Sequence, residues 1–220
     1  MTKPCLAFDV ETIPDPRIIH DPDLCEEVRN NVALGNTKDP AKIEAKRDEA
    51  LESWRNDKAS FRRWSARVVA IGWSDLDKGP IRAYVSYTQE RRVLTSFVRA
   101  IEKHYGDAGA VLGTFNGRRF DVPLITFRCG IRKVKLPPWW PGAGSYANEQ
   151  ADLMDLFPDD KLAYVAKAHG LPPKLASGAD VKHMTADECR KYVKRDVLIE
   201  RALLRIYRDR FKALRSRGVA

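Results

Sequence analysis

Leu6-Ala7-Phe8-Asp9-Val10-Glu11-Thr12 is an apolar run interrupted by two acids, and it decides how the rest of the chain is read. The run has the composition of a buried strand, on which side chains alternate faces with a period of two. Asp9 and Glu11 then point the same way, and Leu6, Phe8 and Val10 share the opposite face, toward a core. Two like charges side by side repel, and burying them costs several kcal/mol unless a positive charge lies between them. A divalent cation is the simplest such charge, and it requires further carboxylates from elsewhere in the chain.

Working outward, Thr12-Ile13-Pro14-Asp15-Pro16 is expected to break the strand, because proline cannot donate to a ladder. Residues from about 17 to 66 are polar, charged and helix-prone, with breaks near Gly35-Asn36 and Asp39-Pro40. The spacing predicts one amphipathic helix from Ala41 to Trp64, with Ile43, Leu51, Trp54 and Phe61 at helical intervals. Arg55, Lys58, Arg62, Arg63 and Arg67 surround its aromatic residues. Such a mixture suits either stacking on bases and holding phosphates or simple packing of the helix on its domain.

Val68 to Trp73 and Ile81 to Val85 read as an antiparallel hairpin, and Arg91 to Tyr105 as a helix. Ala110 to Phe115 reads as a central strand. It runs into an Asn116-Gly117 turn and then a helix with Pro123 in its first turn, which places Asp121 just past a strand end. Residues 134–148 form a Pro/Trp-rich loop in which Trp139 and Trp140 are expected to pack. Ala151 to Leu156 reads as a last strand and Lys161 to His169 as a helix. Thr185 and Glu188 then give a capping-box start to a final helix. Tyr192, Asp196, Ile199, Leu203 and Ile206 fall on one stripe of that helix. Asp196 is therefore an acid within an apolar face, where carboxylates are rare without a partner.

At 220 residues, with 44% hydrophobic and 31% charged residues, the chain suits one soluble globular domain with an insertion at 17–64. A mean hydropathy of −0.44 and the lack of a long apolar run argue against a membrane role. The opening strand leaves no room for a secretory segment, which predicts a cytoplasmic protein. Cys5, Cys25, Cys129 and Cys189, like the four histidines, are scattered without ligand spacing, which disfavours a His/Cys metal site and points to reduced thiols. The net charge of +9 suggests a polyanionic partner. From Glu188 onward eleven Lys/Arg face four Asp/Glu, which fits either a nucleic-acid face or a solvated helix face.

Asp9-x-Glu11, Asp121 after an Asn-Gly turn, and Tyr192-x-x-x-Asp196 occur in an order that resembles the DEDD superfamily of 3′–5′ exonucleases. Asp9-Val10-Glu11 is similar to their first motif and Asn116-Gly117-Arg118-Arg119-Phe120-Asp121 to their second. The histidine form of the third motif would place His where Lys191 stands; Tyr192 matches the tyrosine, or DEDDy, form. Phe8 to Pro14, Arg67 to Trp73, Phe120 to Pro123 and Asp152 to Leu156 add a resemblance to stand-alone exonucleases related to the family B DNA polymerase proofreading domain.

The resemblance implies an α/β, RNase H-like fold. Its mixed five-stranded sheet would be antiparallel over the first three strands, then parallel, and flanked by helices. It implies two divalent cations, Mg²⁺ or Mn²⁺, held by Asp9, Glu11, Asp121 and Asp196. Asp9 would bridge them, Glu11 and Asp196 would hold the ion that activates the attacking water, and Asp121 would reach the other. Tyr192 would orient the water. Thr12, Ile13, Asn116 and Phe120 would lie along the terminal nucleotide, Phe120 serving equally well as core. DNA is favoured over RNA as the partner, with replication or repair proteins as associates. An RNase D-like exoribonuclease, a non-catalytic nucleic-acid-binding module on the same fold and an interaction protein built on the basic helices are the competing readings.

Overall fold

The computed structural model describes residues 3–142, 150–211 and 214. The chain divides into two units, Met1–Glu11 with Val68–Ala220, and Thr12–Arg67. The opening run forms β1 (Cys5–Pro14). The expected break comes only after Pro14, because a strand's last residue needs no N–H and tolerates proline's φ.

β2 (Ala66–Asp75) and β3 (Arg82–Val85) pair antiparallel, with Ile71 opposite Tyr84. β4 (Val111–Thr114) and β5 (Gln150–Asp152) complete a five-stranded sheet in the order β3-β2-β1-β4-β5. The Leu76 N–H donates to Cys5 O at 2.8 Å, which sets the end of β2 beside the start of β1 and makes that pair antiparallel. β4 runs parallel to β1, with Leu6 opposite Leu112, and to β5, with Thr114 opposite Asp152. The sheet is therefore mixed in the way expected. β5 is shorter than the predicted strand. The Asp152 carboxylate accepts the Met154 N–H at 3.1 Å and turns Leu153–Asp155 into a single 3₁₀ turn.

Helices cover both faces. α3 (Glu90–Tyr105) lies on one, where Phe8 packs 5.8 Å from Phe97 and 5.9 Å from Trp140, ring centre to ring centre. α4 (Asp121–Arg132) lies on the same face, and the Trp140 indole donates to its Thr126 hydroxyl at 3.0 Å. Trp140 is thus packing, as expected; residues 143–148 of the loop lie outside the described residues. On the other face α5 (Leu162–Ala168) and α6 (Ala186–Ile206) share a core with Cys5, Ala7, Val111 and Ala151. The Thr185–Glu188 capping box starts α6 as predicted. Ile206, placed by its spacing on the buried stripe, is 56% exposed at the helix end. α6 lies so close to the sheet that a Cβ on Gly113 would stand 2.6 Å from Leu204 Cδ1, and one on Gly72 2.9 Å from Val193 Cγ2.

α3, α4 and β2 are tied by buried charges. Glu90 accepts from Arg128 at 2.6 and 2.7 Å, from Arg132 at 2.5 Å and from the Val68 N–H at 2.9 Å. Burial alone would raise the Glu90 pKa, but these hydrogen bonds outweigh it and hold the carboxyl below its usual range. Glu90→Ala leaves the buried Arg128 without that counter-charge and is expected to cost about 3–5 kcal/mol in urea unfolding. A loss under about 1 kcal/mol would show that water replaces the carboxylate without penalty.

In the Thr12–Arg67 unit two helices start on the same Asp-Pro device. Asp21 caps α1 (Pro22–Asn30) by accepting the Leu24 N–H at 3.1 Å, and Asp39 caps α2 (Pro40–Asn56) by accepting the Ala41 N–H at 3.0 Å. Cys25, Leu51, Trp54 and Ala59 form their shared core. The single helix expected to reach Trp64 ends at Asn56. Asn and Asp at 56–57 are weak helix formers, and the Ser60 hydroxyl donates to the Asp57 carbonyl at 2.6 Å, so the chain continues as a 3₁₀ turn over Lys58–Phe61.

Candidate metal centre

β1 and α6 meet across the face that carries Ala7, and the same face carries Asp9 and Glu11. From the α6 side comes Asp196, on the stripe that presents Tyr192 one turn earlier and Ile199 and Leu203 after it. One carboxylate oxygen each from Asp9, Glu11 and Asp196 lie within 4.8 Å of one another. Asp9 Oδ2 and Asp196 Oδ1 are buried oxygens with no hydrogen-bond partner among the described residues. Hard oxygen donors crowded together, two of them with no proton to accept, are the donor set of a hard cation. The trio can hold a metal ion.

Asp121 reaches the site by a different route. β4 leads into Asn116, which takes a left-handed φ of 68°. At Gly117 any Cβ would fall 2.5 Å from the Thr114 side chain, so only glycine turns the chain there. Asp152 fixes this turn from β5 by accepting the Asn116 N–H at 2.7 Å and the Arg118 N–H at 2.9 Å. The turn delivers Asp121 to the first residue of α4, where the helix N-terminus favours an anion. The Asp121 carboxyl lies outside the close trio but senses the Asp9 charge, and the Val10 backbone hydrogen-bonds to it. Phe120, just before it, is half-buried.

Burial and mutual repulsion set the protonation of these acids. The Glu11 carboxyl is pushed well above its ordinary range, by burial first and then by the charges of Asp9 and Asp196. Asp121 is raised by burial and by Asp9. Asp196 rises to about 7, by burial and Asp9, against the pull of Lys174. The Tyr192 phenol, buried among Glu11, Asp196 and Asp9, is pushed far above its usual pKa and stays protonated, with a hydrogen-bonding interaction to Asp196.

Two neighbours were missed in the sequence. The Lys174 ammonium pairs with Asp196 at 2.6 Å and stands 5.3 Å from the centre of the Tyr192 ring. Burial works against its charge, but Asp196, Asp9 and Glu11 outweigh that and raise its pKa. Its setting, a Pro-Pro-Lys loop, carries no periodic signal. Glu200 is fully buried one turn beyond Asp196, with Oε2 unpartnered. Burial, then the charges of Asp9, Asp121 and Asp196, lift its carboxyl well above the ordinary range. Its four-residue spacing from Asp196 was legible as the same helix face.

Other expected residues are placed less decisively. Thr12 and Ile13 continue β1, and the Thr12 hydroxyl is engaged by the Ser60 carbonyl at 2.8 Å, which leaves its backbone for any other role. The basic excess from Glu188 onward is partly structural. Arg201 donates to Ser74 Oγ at 2.9 Å and Gly79 O at 3.1 Å, Arg205 to Leu76 O at 2.6 Å, and Arg208 pairs with Asp77. These arginines close the β2–β3 turn, and Lys212, Arg215 and Arg217 lie outside the described residues. Among the described residues no helix is long and apolar enough to cross a membrane.

No protein-family model matches the chain, and no curated protein does. Among solved structures it is similar to the family B DNA polymerase from the hyperthermophilic archaeon Pyrobaculum calidifontis, with a TM-score of 0.57 and 17% identity over 94% of this chain. The match takes in 25% of the polymerase chain, so this chain spans about a quarter of that protein's length. At that identity the likeness is one of fold: an α/β architecture whose mixed five-stranded sheet, flanked by helices, is consistent with the RNase H-like fold.

Proposed function

We propose that the chain is a metal-dependent 3′–5′ exonuclease that removes nucleoside 5′-monophosphates from the 3′ end of DNA. The observation that carries this reading is the convergence of Asp9, Glu11 and Asp196 oxygens within 4.8 Å, two of the carboxylates keeping an unpartnered buried oxygen. Asp9, Glu11 and Asp196 would hold an ion together, and Asp121, which senses the Asp9 charge, would add a further carboxylate beside it. Divalent cations such as Mg²⁺ or Mn²⁺, when bound, would supply Lewis acidity and charge stabilisation to phosphodiester hydrolysis.

The protein's own groups do the rest. Tyr192, held protonated beside Asp196, acts as a hydrogen-bond donor that orients the attacking water and not as a general base. Lys174 neutralises part of the carboxylate charge in the ion-free protein, which keeps the acids together. Asn116, in the turn that Asp152 braces, and Phe120, the residue before Asp121, would contact the terminal nucleotide.

The test is trimming of matched DNA and RNA strands, labelled at either end, in Mg²⁺, Mn²⁺ or EDTA. Loss of a 3′ label first, only with metal and faster on DNA, is expected. Tyr192→Phe should slow hydrolysis by about tenfold to a thousandfold while leaving metal affinity by calorimetry within about twofold. An unchanged rate would make the tyrosine a packing residue. Faster trimming of RNA would favour the exoribonuclease reading, and metal-independent binding without turnover would favour the non-catalytic one.

A further inference from the structure

The Thr12–Arg67 unit carries a feature that the hydrolytic site does not use. Because α2 stops at Asn56, the chain turns and leaves Phe61-Arg62-Arg63-Trp64 exposed in succession. Phe61 is 56% and Trp64 42% exposed. Trp64 is nonetheless held in place: its ring centre lies 6.0 Å from that of buried Trp54, at an interplanar angle of 30°. Both rings line a cavity of about 460 Å³ with Leu24, Val28, Lys58 and Arg62. That volume falls in the range of small-ligand sites.

The cations around it are unneutralised. Among the described residues the side chains of Lys58, Arg62 and Arg63 form no ion pair, whereas Glu44 and Asp48 of the same unit are taken by Arg29 and Arg47. Glu27 is the acid in the cavity lining, and it is exposed. From Arg55 to Arg67 five cations face one acid, Asp57. A solvated cationic surface has no need of two exposed aromatic rings. An apolar protein interface would leave three unpaired cations to desolvate. Rings interleaved with free cations match a strand of stacked bases and phosphates.

We propose that the Thr12–Arg67 unit is itself a binding site for single-stranded nucleic acid, one base stacking on Trp64 at the mouth of this cavity and adjacent phosphates lying on Lys58, Arg62 and Arg63. The proposal shares its substrate class with the function proposed above, but binding here needs no metal, so the two fail separately. The test is fluorescence anisotropy of labelled oligothymidylate and oligouridylate with the full chain in EDTA, across a range of salt. In parallel, metal-dependent hydrolysis of a nitrophenyl ester of thymidine monophosphate, too short to span a second site, reports on the carboxylates alone.

Trp64→Ala is expected to weaken both oligonucleotides roughly tenfold, with Trp64→Phe retaining most of the affinity. Arg62→Ala with Arg63→Ala should flatten the slope of log affinity against log salt by about 1–1.5. Neither change should alter ester hydrolysis. Absence of binding in EDTA, or wild-type affinity and salt slope in both variants, would overturn the proposal whatever the ester arm shows. So would Trp64→Phe binding as poorly as Trp64→Ala, which would mean that the ring only packs. Dissociation of a dimer by Trp64→Ala at unchanged affinity would assign the patch to a second copy of the chain, and would overturn it too.

Discussion

If the chain is the exonuclease proposed above, Asp9→Asn is expected to lower metal-dependent trimming by at least about a thousandfold, because several kcal/mol of charge stabilisation would depend on ions that this carboxylate would hold. Asp9 is the sharpest choice among the acids. It belongs to the trio within 4.8 Å, it carries an unpartnered buried oxygen, and its charge is the one that Glu11, Asp121, Asp196 and Glu200 all sense. The same substitution should leave the metal-free fold at least as stable as the wild type, since it removes the charge that the other buried acids oppose. Asp196→Asn makes a useful contrast, because it also strips Lys174 of its partner at 2.6 Å and should destabilise the metal-free protein. Activity and calorimetric metal affinity, read beside thermal unfolding in EDTA, separate these effects. Near-wild-type trimming by Asp9→Asn would remove the carboxylate site from the mechanism.

Metal should also stabilise the protein, and more so as pH rises. Glu11, Asp121, Glu200 and Asp196 all have folded-state pKa values above those of free carboxylates, Asp196 at about 7. A raised acid contributes stability that is fully present below its unfolded value and lost as pH climbs through the folded one. The metal-free protein should therefore lose stability between about pH 4 and about pH 7, the window from ordinary carboxylates to folded Asp196. Glu90, whose pKa is lowered, acts on the acid side: its stabilisation fades as pH falls below the ordinary carboxylate range. Saturating Mn²⁺, bound at this site, would replace the missing protons with positive charge. At about 100-fold over its dissociation constant it would contribute about 2.7 kcal/mol, or roughly 5–10 °C in melting temperature. The shift should be largest near pH 7.5 and shrink near pH 5, where ions compete with bound protons. Thermal unfolding at those two pH values with Mn²⁺ or EDTA decides it; an equal shift at both would mean that the ion binds elsewhere.

How much of this was written in the residues can be judged element by element. The alternation of Leu6, Phe8 and Val10 against Asp9 and Glu11, the Asn116-Gly117 turn before Asp121, and the capped helix bearing Tyr192 and Asp196 depend on local rules: strand period, turn chemistry, helix period. They were legible, whereas the mixed sheet was expected only from the resemblance that those residues carry. The end of α2 was not, because one Ser60–Asp57 bond and two weak helix formers outweigh an amphipathic pattern that continues past them. Lys174 was not, because a lysine in a loop has no period and finds Asp196 only through the folded chain.

The amino-acid sequence by itself determined which acids share a strand face or a helix stripe, since those relations span a few residues and follow from backbone geometry. Only the tertiary structure decided that the strand and the helix close on each other tightly enough to bring their oxygens within 4.8 Å. That closeness rests on Gly72 and Gly113, where no side chain separates α6 from the sheet. It also set which positive charges remain free. Arg201, Arg205 and Arg208 are held by the β2–β3 turn, while Lys58 and Arg62, beside Trp54 and Trp64, form no ion pair among the described residues. Net charge is a sum over the chain, but the availability of each charge depends on what the fold places next to it.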